Sequence, residues 1–123
     1  MIIRLTPADS PYTIPHKLLG AQLALQPNLS LWLSGGSGGN ITVIFPEISK
    51  LQVGQGSVAI SFDDADTGIE INTSGTDVFA GLGKGQKTLI MNAPLANSYE
   101  TGEFIADTAS ESGVNRWVIA GFK

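Results

Sequence analysis

The frequent switch between strand-like segments and turn-forming residues constrains the fold of this chain more than any other feature. Residues 29–34 read LSLWLS, and a glycine-rich run, GGSGG, follows at once. Alternate residues of a strand point to opposite faces, so the leucines of this segment give it one apolar face. The next segment, NITVIF, is rich in β-branched residues and is stopped by Pro46. Such a chain predicts short strands joined by turns.

The same pattern continues toward the C-terminus, and signals for helices are weak throughout. We expect about seven or eight short strands in all, including MIIRL at 1–5 and, most clearly, SVAISF at 57–62, GIEINTS at 68–74, KTLIMN at 87–92 and NRWVIAGF at 115–122. Residues 93–114 form a long connection with one short strand expected at 103–106, and residues 74–86 are interpreted as a loop. The sequence predicts an all-β fold, a single-domain β-sandwich or jelly-roll-like barrel.

The N-terminal segment is expected to behave differently from the rest. Residues 6–16 carry three prolines, which exclude a regular helix or a central strand. Residues 17–26 fit either a helix or a strand, and the sequence leaves this open. We therefore divide the chain into an extended N-terminal arm with the first strands at 1–28 and a β-sandwich domain at 29–123.

The composition excludes several classes of partner. Only 15% of the residues are charged, against a usual ~25%, and the formal net charge is −4. No basic patch is available for phosphates, so nucleic acid is not an expected partner. No apolar run approaches the ~20 residues needed to cross a bilayer, so no membrane association is expected. Because 42% of the residues are hydrophobic and few are charged, we expect that partner subunits cover part of the apolar surface.

The motifs that come closest to catalytic or ligand-binding signatures fail on spacing. A phosphate loop beginning at Gly81 would need a second glycine where Gln86 stands. The acidic segment DDADTGIE at 63–70 lacks the spacing of a calcium hand and favours a tight turn. His16 is the only histidine and has no nucleophile-elbow motif near it. We therefore expect no enzymatic activity and no cofactor or metal. The glutamates that a glycosidase pair would need occur at ordinary density: Glu47, Glu100, Glu103 and Glu111.

The order of segments between residues 39 and 122 resembles that of the small β domains of bacteriophage tail fibres, head fibres and capsid decoration (cement) proteins. The matching segments, in order, are NITVIFP, LQVGQG, SVAISF, GIEINTSG, TDVFAG, GQKTLIMN and GVNRWVIAGF. They cover about two thirds of the chain, while the connection at 93–114 is longer than is usual in these domains. The resemblance implies a non-enzymatic homotrimer on the virion surface, synthesised in the cytoplasm of a bacterial host.

The leading expectation is a capsid decoration protein whose partners are two copies of itself and the major capsid protein. Trp32 lies opposite the leucines of its segment, and Trp117 and Ile119 share one face of the C-terminal strand. We predict these three residues at the trimer interface, with the core as the other possible place for Trp117. The N-terminal arm is predicted to contact the capsid through Ile2, Ile3, Tyr12, Ile14 and His16.

The alternative is a receptor-binding head-fibre or tail-fibre domain. In that case, the loops at 63–68, 75–85 and 93–114 would bind a glycan on the host surface. The sequence does not decide between a capsid and a tail location, and it leaves strand order open.

Overall fold

The chain forms two β-sheets that pack face to face. The computed structural model describes residues 2–19, 29–34, 40–51, 57–62, 68–80, 86–92, 101–107 and 114–122. Its strands are β1 (Ile2–Leu5), β2 (Tyr12–Thr13), β3 (Leu29–Leu33), β4 (Asn40–Ile44), β5 (Ser57–Phe62), β6 (Gly68–Asn72), β7 (Val78–Ala80), β8 (Thr88–Asn92), β9 (Thr101–Asp107) and β10 (Arg116–Phe122). The described helices are single 3-10 turns at Pro7–Asp9, His16–Leu18 and Ile48–Lys50. None of them is long and apolar enough to cross a membrane. These observations confirm an all-β fold with two layers.

The chain passes back and forth between the two sheets. The six-stranded sheet has the order β1-β3-β5-β9-β10-β7, and the four-stranded sheet has the order β2-β4-β6-β8. Odd-numbered strands up to β9 therefore lie in the larger sheet and even-numbered strands up to β8 lie in the smaller one. Up to β6, each crossing ends beside the preceding strand of the same sheet and runs parallel to it. Beyond β6 this regularity ends, because β8 pairs with β6 and β9 with β5 in antiparallel fashion, and β7 lies beside β10.

The jelly-roll prediction is not confirmed. Five of the eight strand pairings among the described residues are parallel, whereas a jelly roll consists of two Greek keys of antiparallel strands. Four of the five parallel pairs join segments about 30 residues apart, as in Ile3 with Leu31 and Leu31 with Ile60. Alternation along a strand shows which side is buried but carries no information on which segment lies next to it, so the sequence did not predict this order.

The core lies between the sheets and follows the alternation predicted from sequence. Leu29, Leu31 and Leu33 are fully buried, while Ser30 and Trp32 between them are half-buried. Four aromatic rings make the centre of the core: Phe45, Phe79, Phe104 and Trp117. Phe45 contacts Trp117 edge-to-face with ring centroids 4.8 Å apart, an arrangement that aromatic pairs prefer.

The separate N-terminal arm is not confirmed either. Residues Ile2–Leu5 are a strand of the six-stranded sheet and pair with β3. Further along, Ile14 and Leu19 place their side chains in the core, at 1% and 0% exposure. These apolar residues bury more surface inside the sandwich than an extended arm would. Of the segment left open between helix and strand, residues 17–19 belong to a 3-10 turn and its end, and residues 20–26 lie outside the described residues.

One strand, β7, lies inside the segment that the sequence predicted to be a loop. It has only three residues and stands between glycine-rich stretches, so its alternation is too short to detect. It pairs in parallel with β10, about 40 residues later in the chain. The strand predicted at 103–106 is confirmed and extends over Thr101–Asp107.

Candidate interaction surfaces

The outer face of the six-stranded sheet, here called the large-sheet face, is made mostly of small and apolar side chains. Its central row runs across four strands in register, from Ser57 through Ile105 and Val118 to Ala80. A neighbouring row contains Ile2, Ser30 and Ala59. Ile2 and Ile105, at 59% and 37%, are two of the most exposed large hydrophobic residues in the described part of the chain.

The charged side chains that the structure describes on the large-sheet face lie at its two ends. Among the side chains that the structure describes on this face, the charged ones are Arg4, Asp107 and Arg116. The Arg116 Nε atom lies 2.9 Å from Asp107 Oδ2, so these two charges are paired. The Arg4 guanidinium lies 5.3 Å from the centre of the Trp32 ring, a cation–π contact. The described side chains in the central row of the face carry no charge, and the register places one acidic residue, Glu103, beside Ala59 in the neighbouring row.

The structure separates the three residues predicted at the trimer interface. Trp32 lies on the large-sheet face and is half-buried. Trp117 is 0% exposed and is therefore a core residue of the single subunit, the other place allowed for it by its sequence pattern. Ile119, two residues on, points to the same inner side and packs against the core. Of the three, only Trp32 lies on an outer face of the single subunit.

The residues predicted to contact the capsid are also placed in different environments. Ile2 is exposed on the large-sheet face, whereas Ile14 is 1% exposed and unavailable to a partner. Ile3 and Tyr12 pack against the core while keeping some exposed surface, and His16 is half-buried in a 3-10 turn. Contact of these residues with a capsid stays a prediction for Ile2, Ile3, Tyr12 and His16, and the burial of Ile14 removes it from that set.

The outer face of the four-stranded sheet, here called the small-sheet face, is polar and hydrogen-bonded. The Thr88 hydroxyl donates to Asn72 Oδ1 over 2.7 Å, and Asn72 Nδ2 donates to Glu70 Oε2 over 3.0 Å. Beside this chain of side chains lies a shallow depression of about 270 Å³. Its lining residues are Asn40, Ile41, Thr42, Gly68, Ile69, Glu70 and Ile90. Sequence reasoning did not single out this surface, although the outward positions of GIEIN and TLIMN carry it.

A buried carboxylate, Asp77, lies at the end of the turn between β6 and β7. Asp77 is 3% exposed, and its Oδ2 accepts a hydrogen bond from the Ile48 backbone N–H over 2.8 Å. Burial raises the pKa of Asp77, the hydrogen bond from Ile48 lowers it, and the negative charge of Glu47 raises it, with a net upward shift. Through this hydrogen bond, Asp77 fastens the start of the Ile48–Lys50 helix to the turn between β6 and β7.

The sites considered for metals and glycans fall partly outside the described residues. Asp63, Asp64 and Asp66 lie there, as do most residues of the three loops considered for glycan binding. Within the described ranges, no three acidic, histidine or cysteine side chains lie close enough to hold a metal ion. Comparison of the chain with models of protein families, with curated proteins and with solved structures finds no match.

Proposed function

We propose that this chain is a capsid decoration (cement) protein of a bacteriophage virion. In this proposal it forms a homotrimer that binds at junctions of the major capsid protein and stabilises the head shell. It acts mechanically, without catalysis and without a cofactor. The observation that supports the proposal best is the large-sheet face, a broad surface whose described side chains are mostly small or apolar and partly exposed in the single subunit.

The size of the large-sheet face is suited to a subunit contact. Six strands spaced ~4.8 Å apart, with several residues of ~3.3 Å each, cover roughly 500 Å² in projection. A standard interface buries ~800 Å² per partner, so the face accounts for most of one. Small side chains such as Ser57 and Ala59 let a second surface approach closely. Around a threefold axis each subunit contacts two neighbours, and a trimer then holds several capsid subunits at once, which slows its release.

Sedimentation of the purified chain tests the trimer. We expect a single species of three subunits at micromolar concentration. The variant Val118→Lys places a charge in the central row and is expected to dissociate the trimer, because the charge would be buried without a partner. The matched control Thr13→Lys adds the same charge at an exposed position of the other sheet and is expected to leave the trimer intact. A monodisperse wild-type monomer would contradict the proposal.

Mixing the trimer with purified expanded capsids, and separately with host cells, tests the decoration role. Sub-micromolar binding to capsids without binding to cells supports decoration. Binding to cells alone supports the second candidate, a receptor-binding head-fibre or tail-fibre domain. That candidate is favoured by the hydrogen-bonding groups gathered around the depression of the small-sheet face.

A further inference from the structure

The depression on the small-sheet face combines an open space with hydrogen-bonding groups and an apolar wall. It has a volume of about 270 Å³ and lies over β4, β6 and β8. Asn40 and Gly68 are register partners at one side of it. Gly68 has no side chain, so the space above it is open and is bordered by the side chains of neighbouring residues. This face is opposite to the large-sheet face, so a ligand here leaves the large-sheet face uncovered.

The polar lining matches a neutral ligand rich in hydroxyl groups. Asn40 offers an amide, Thr42 a hydroxyl and Glu70 a carboxylate, so the depression presents both donors and acceptors. A sugar hydroxyl can donate to the carboxylate and accept from the amide in the same complex. Among the described residues that line the depression, Glu70 alone is charged, and they do not provide the paired cations that a phosphate would need.

The Glu70 carboxylate is already held in position. Its Oε2 accepts from Asn72, and Asn72 in turn accepts from Thr88, so two neighbours fix the side chain. In the described part of the chain, no hydrogen bond is made to Glu70 Oε1. A side chain ordered before the ligand arrives loses little conformational entropy on binding, which favours recognition by a shallow site.

Ile90 supplies an apolar surface at the rim of the depression. Its side chain is 68% exposed, although it stands beside polar residues on a sheet face. Register places it next to Glu70, across the β6–β8 pair. A pyranose ring has hydroxyls on its edge and C–H groups on its face, so it can contact both groups at once.

We propose that this depression binds a neutral saccharide. Glu70 accepts hydrogen bonds from its hydroxyls, Asn40 and Thr42 contact further hydroxyls, and Ile90 packs against the C–H face of the ring. The proposal goes beyond capsid decoration.

Titration of the full chain with glucose, galactose, mannose and N-acetylglucosamine, followed by ¹⁵N–¹H NMR, tests this site. With at least one sugar we expect saturable shifts at residues 40–42, 68–70 and 90. Glu70→Gln keeps the size of the side chain and an acceptor for Asn72, and Thr42→Val removes only a hydroxyl. Each is expected to weaken binding by about tenfold, as loss of one well-formed hydrogen bond does. Thr13→Val, the same change at an exposed position away from the depression, is expected to leave binding unchanged.

Three outcomes would overturn the proposal. The first is the absence of saturable shifts at these residues with every sugar at high millimolar concentration. The second is binding that Glu70→Gln and Thr42→Val leave unchanged. The third is a response to methylammonium in place of the sugars, which would identify the depression as a cation site. Sedimentation and capsid binding of the same samples test the trimer and the decoration role independently, so failure of the saccharide site and failure of the decoration role are distinguishable.

Discussion

Trp117 is the largest fully buried side chain in the described part of the chain, and its ring nitrogen has no visible partner there. The Nε1 atom is buried without a hydrogen bond among the described residues. The ring packs edge-to-face against Phe45. Packing and burial therefore hold this residue in place, and the unpaired N–H works against them, since a buried donor without an acceptor costs ~1–3 kcal/mol.

We predict that Trp117→Phe destabilises the protein far less than Trp117→Ala. Truncation to alanine leaves a cavity at the centre of the core and is expected to lower the free energy of unfolding by about 3–5 kcal/mol. Phenylalanine keeps most of the ring and removes the unpaired N–H, which offsets part of the loss. Urea denaturation of both variants measures this difference. Equal losses would show that Nε1 donates a stabilising hydrogen bond.

Asp77 makes stability depend on pH in the direction opposite to that of a typical ion-paired carboxylate. Its pKa in the folded protein is raised above the ordinary 3.8, chiefly by burial. The folded state therefore holds the proton more tightly than the unfolded state. The contribution of this group to stability is fully present below pH 3.8 and is lost as pH rises through the raised pKa.

We predict that Asp77→Asn removes this part of the pH dependence. Asparagine keeps an oxygen that accepts from the Ile48 N–H but does not ionise. The free energy of unfolding, measured by denaturant titration from acidic to neutral pH, is expected to fall less steeply with rising pH in the variant than in the wild type. Glu47→Gln serves as a control that removes only the neighbouring charge and is expected to reduce the effect partly. Parallel curves for Asp77→Asn and wild type would contradict the prediction.

At the scale of elements, the turn between β6 and β7 joins the two sheets. The Ser74 hydroxyl donates to the Phe45 carbonyl over 2.6 Å, and the Thr73 hydroxyl donates to the Asp77 carbonyl over 2.7 Å. Gly75, at the tip, has a φ of +62°. That left-handed conformation is one that glycine adopts at no steric cost, so the turn depends on this residue.

We predict that Gly75→Ala lowers the free energy of unfolding by about 1–2 kcal/mol, the cost of a side chain in the left-handed region. The new Cβ would also lie 3.0 Å from Glu47 Cδ, so that side chain must move. Thermal or urea unfolding measures the loss. In a Glu47→Ala background the contact is gone and only the backbone cost remains, so a smaller loss is expected there. No loss in either background would contradict the assigned conformation.

At this scale, the sequence predicted which segments form strands, but it did not predict which strands lie next to each other. Alternation at Leu29, Leu31 and Leu33, or at Ile69 and Ile71, is a local signal, and all five side chains are buried. The parallel order depends on contacts between segments roughly 30 residues apart, for which a single sequence carries no local mark.

The candidate surfaces were predictable only in part. The outward position of Trp32 follows from alternation, which also placed Trp117 and Ile119 on one side of their strand. Which side faced the core depended on the sheet partners of that strand. The Thr88–Asn72–Glu70 chain combines two strands whose pairing had first to be known.

At the scale of the whole molecule, the large-sheet face has a consequence for salt dependence. Its described charged side chains lie at the ends, where Asp107 and Arg116 neutralise each other within one subunit. By register, Glu103 adds one carboxylate beside Ala59. Salt screens interactions between exposed charges and has little effect on contacts between small and apolar side chains. The trimer proposed above is therefore expected to depend on burial of neutral surface.

We predict that the dissociation constant of the trimer changes by less than about tenfold between low and high sodium chloride, because few charges cross the interface. Sedimentation equilibrium at a series of salt concentrations measures it. A steep weakening with salt would show that ion pairs hold the subunits together, and that another surface forms the contact.

Because β9 lies between β5 and β10, the six-stranded sheet is complete only after the last part of the chain has been synthesised. β5 emerges about 40 residues before its neighbour β9, and β7 emerges a similar distance before β10. Until β9 and β10 have been synthesised and paired, β5 and β7 have unpaired backbone N–H and C=O groups at an edge. Strands of other nascent chains can pair with these groups. Synthesis without aggregation thus depends on β9 and β10 completing the sheet before incomplete chains contact one another. A chain truncated before residue 101 is expected to aggregate.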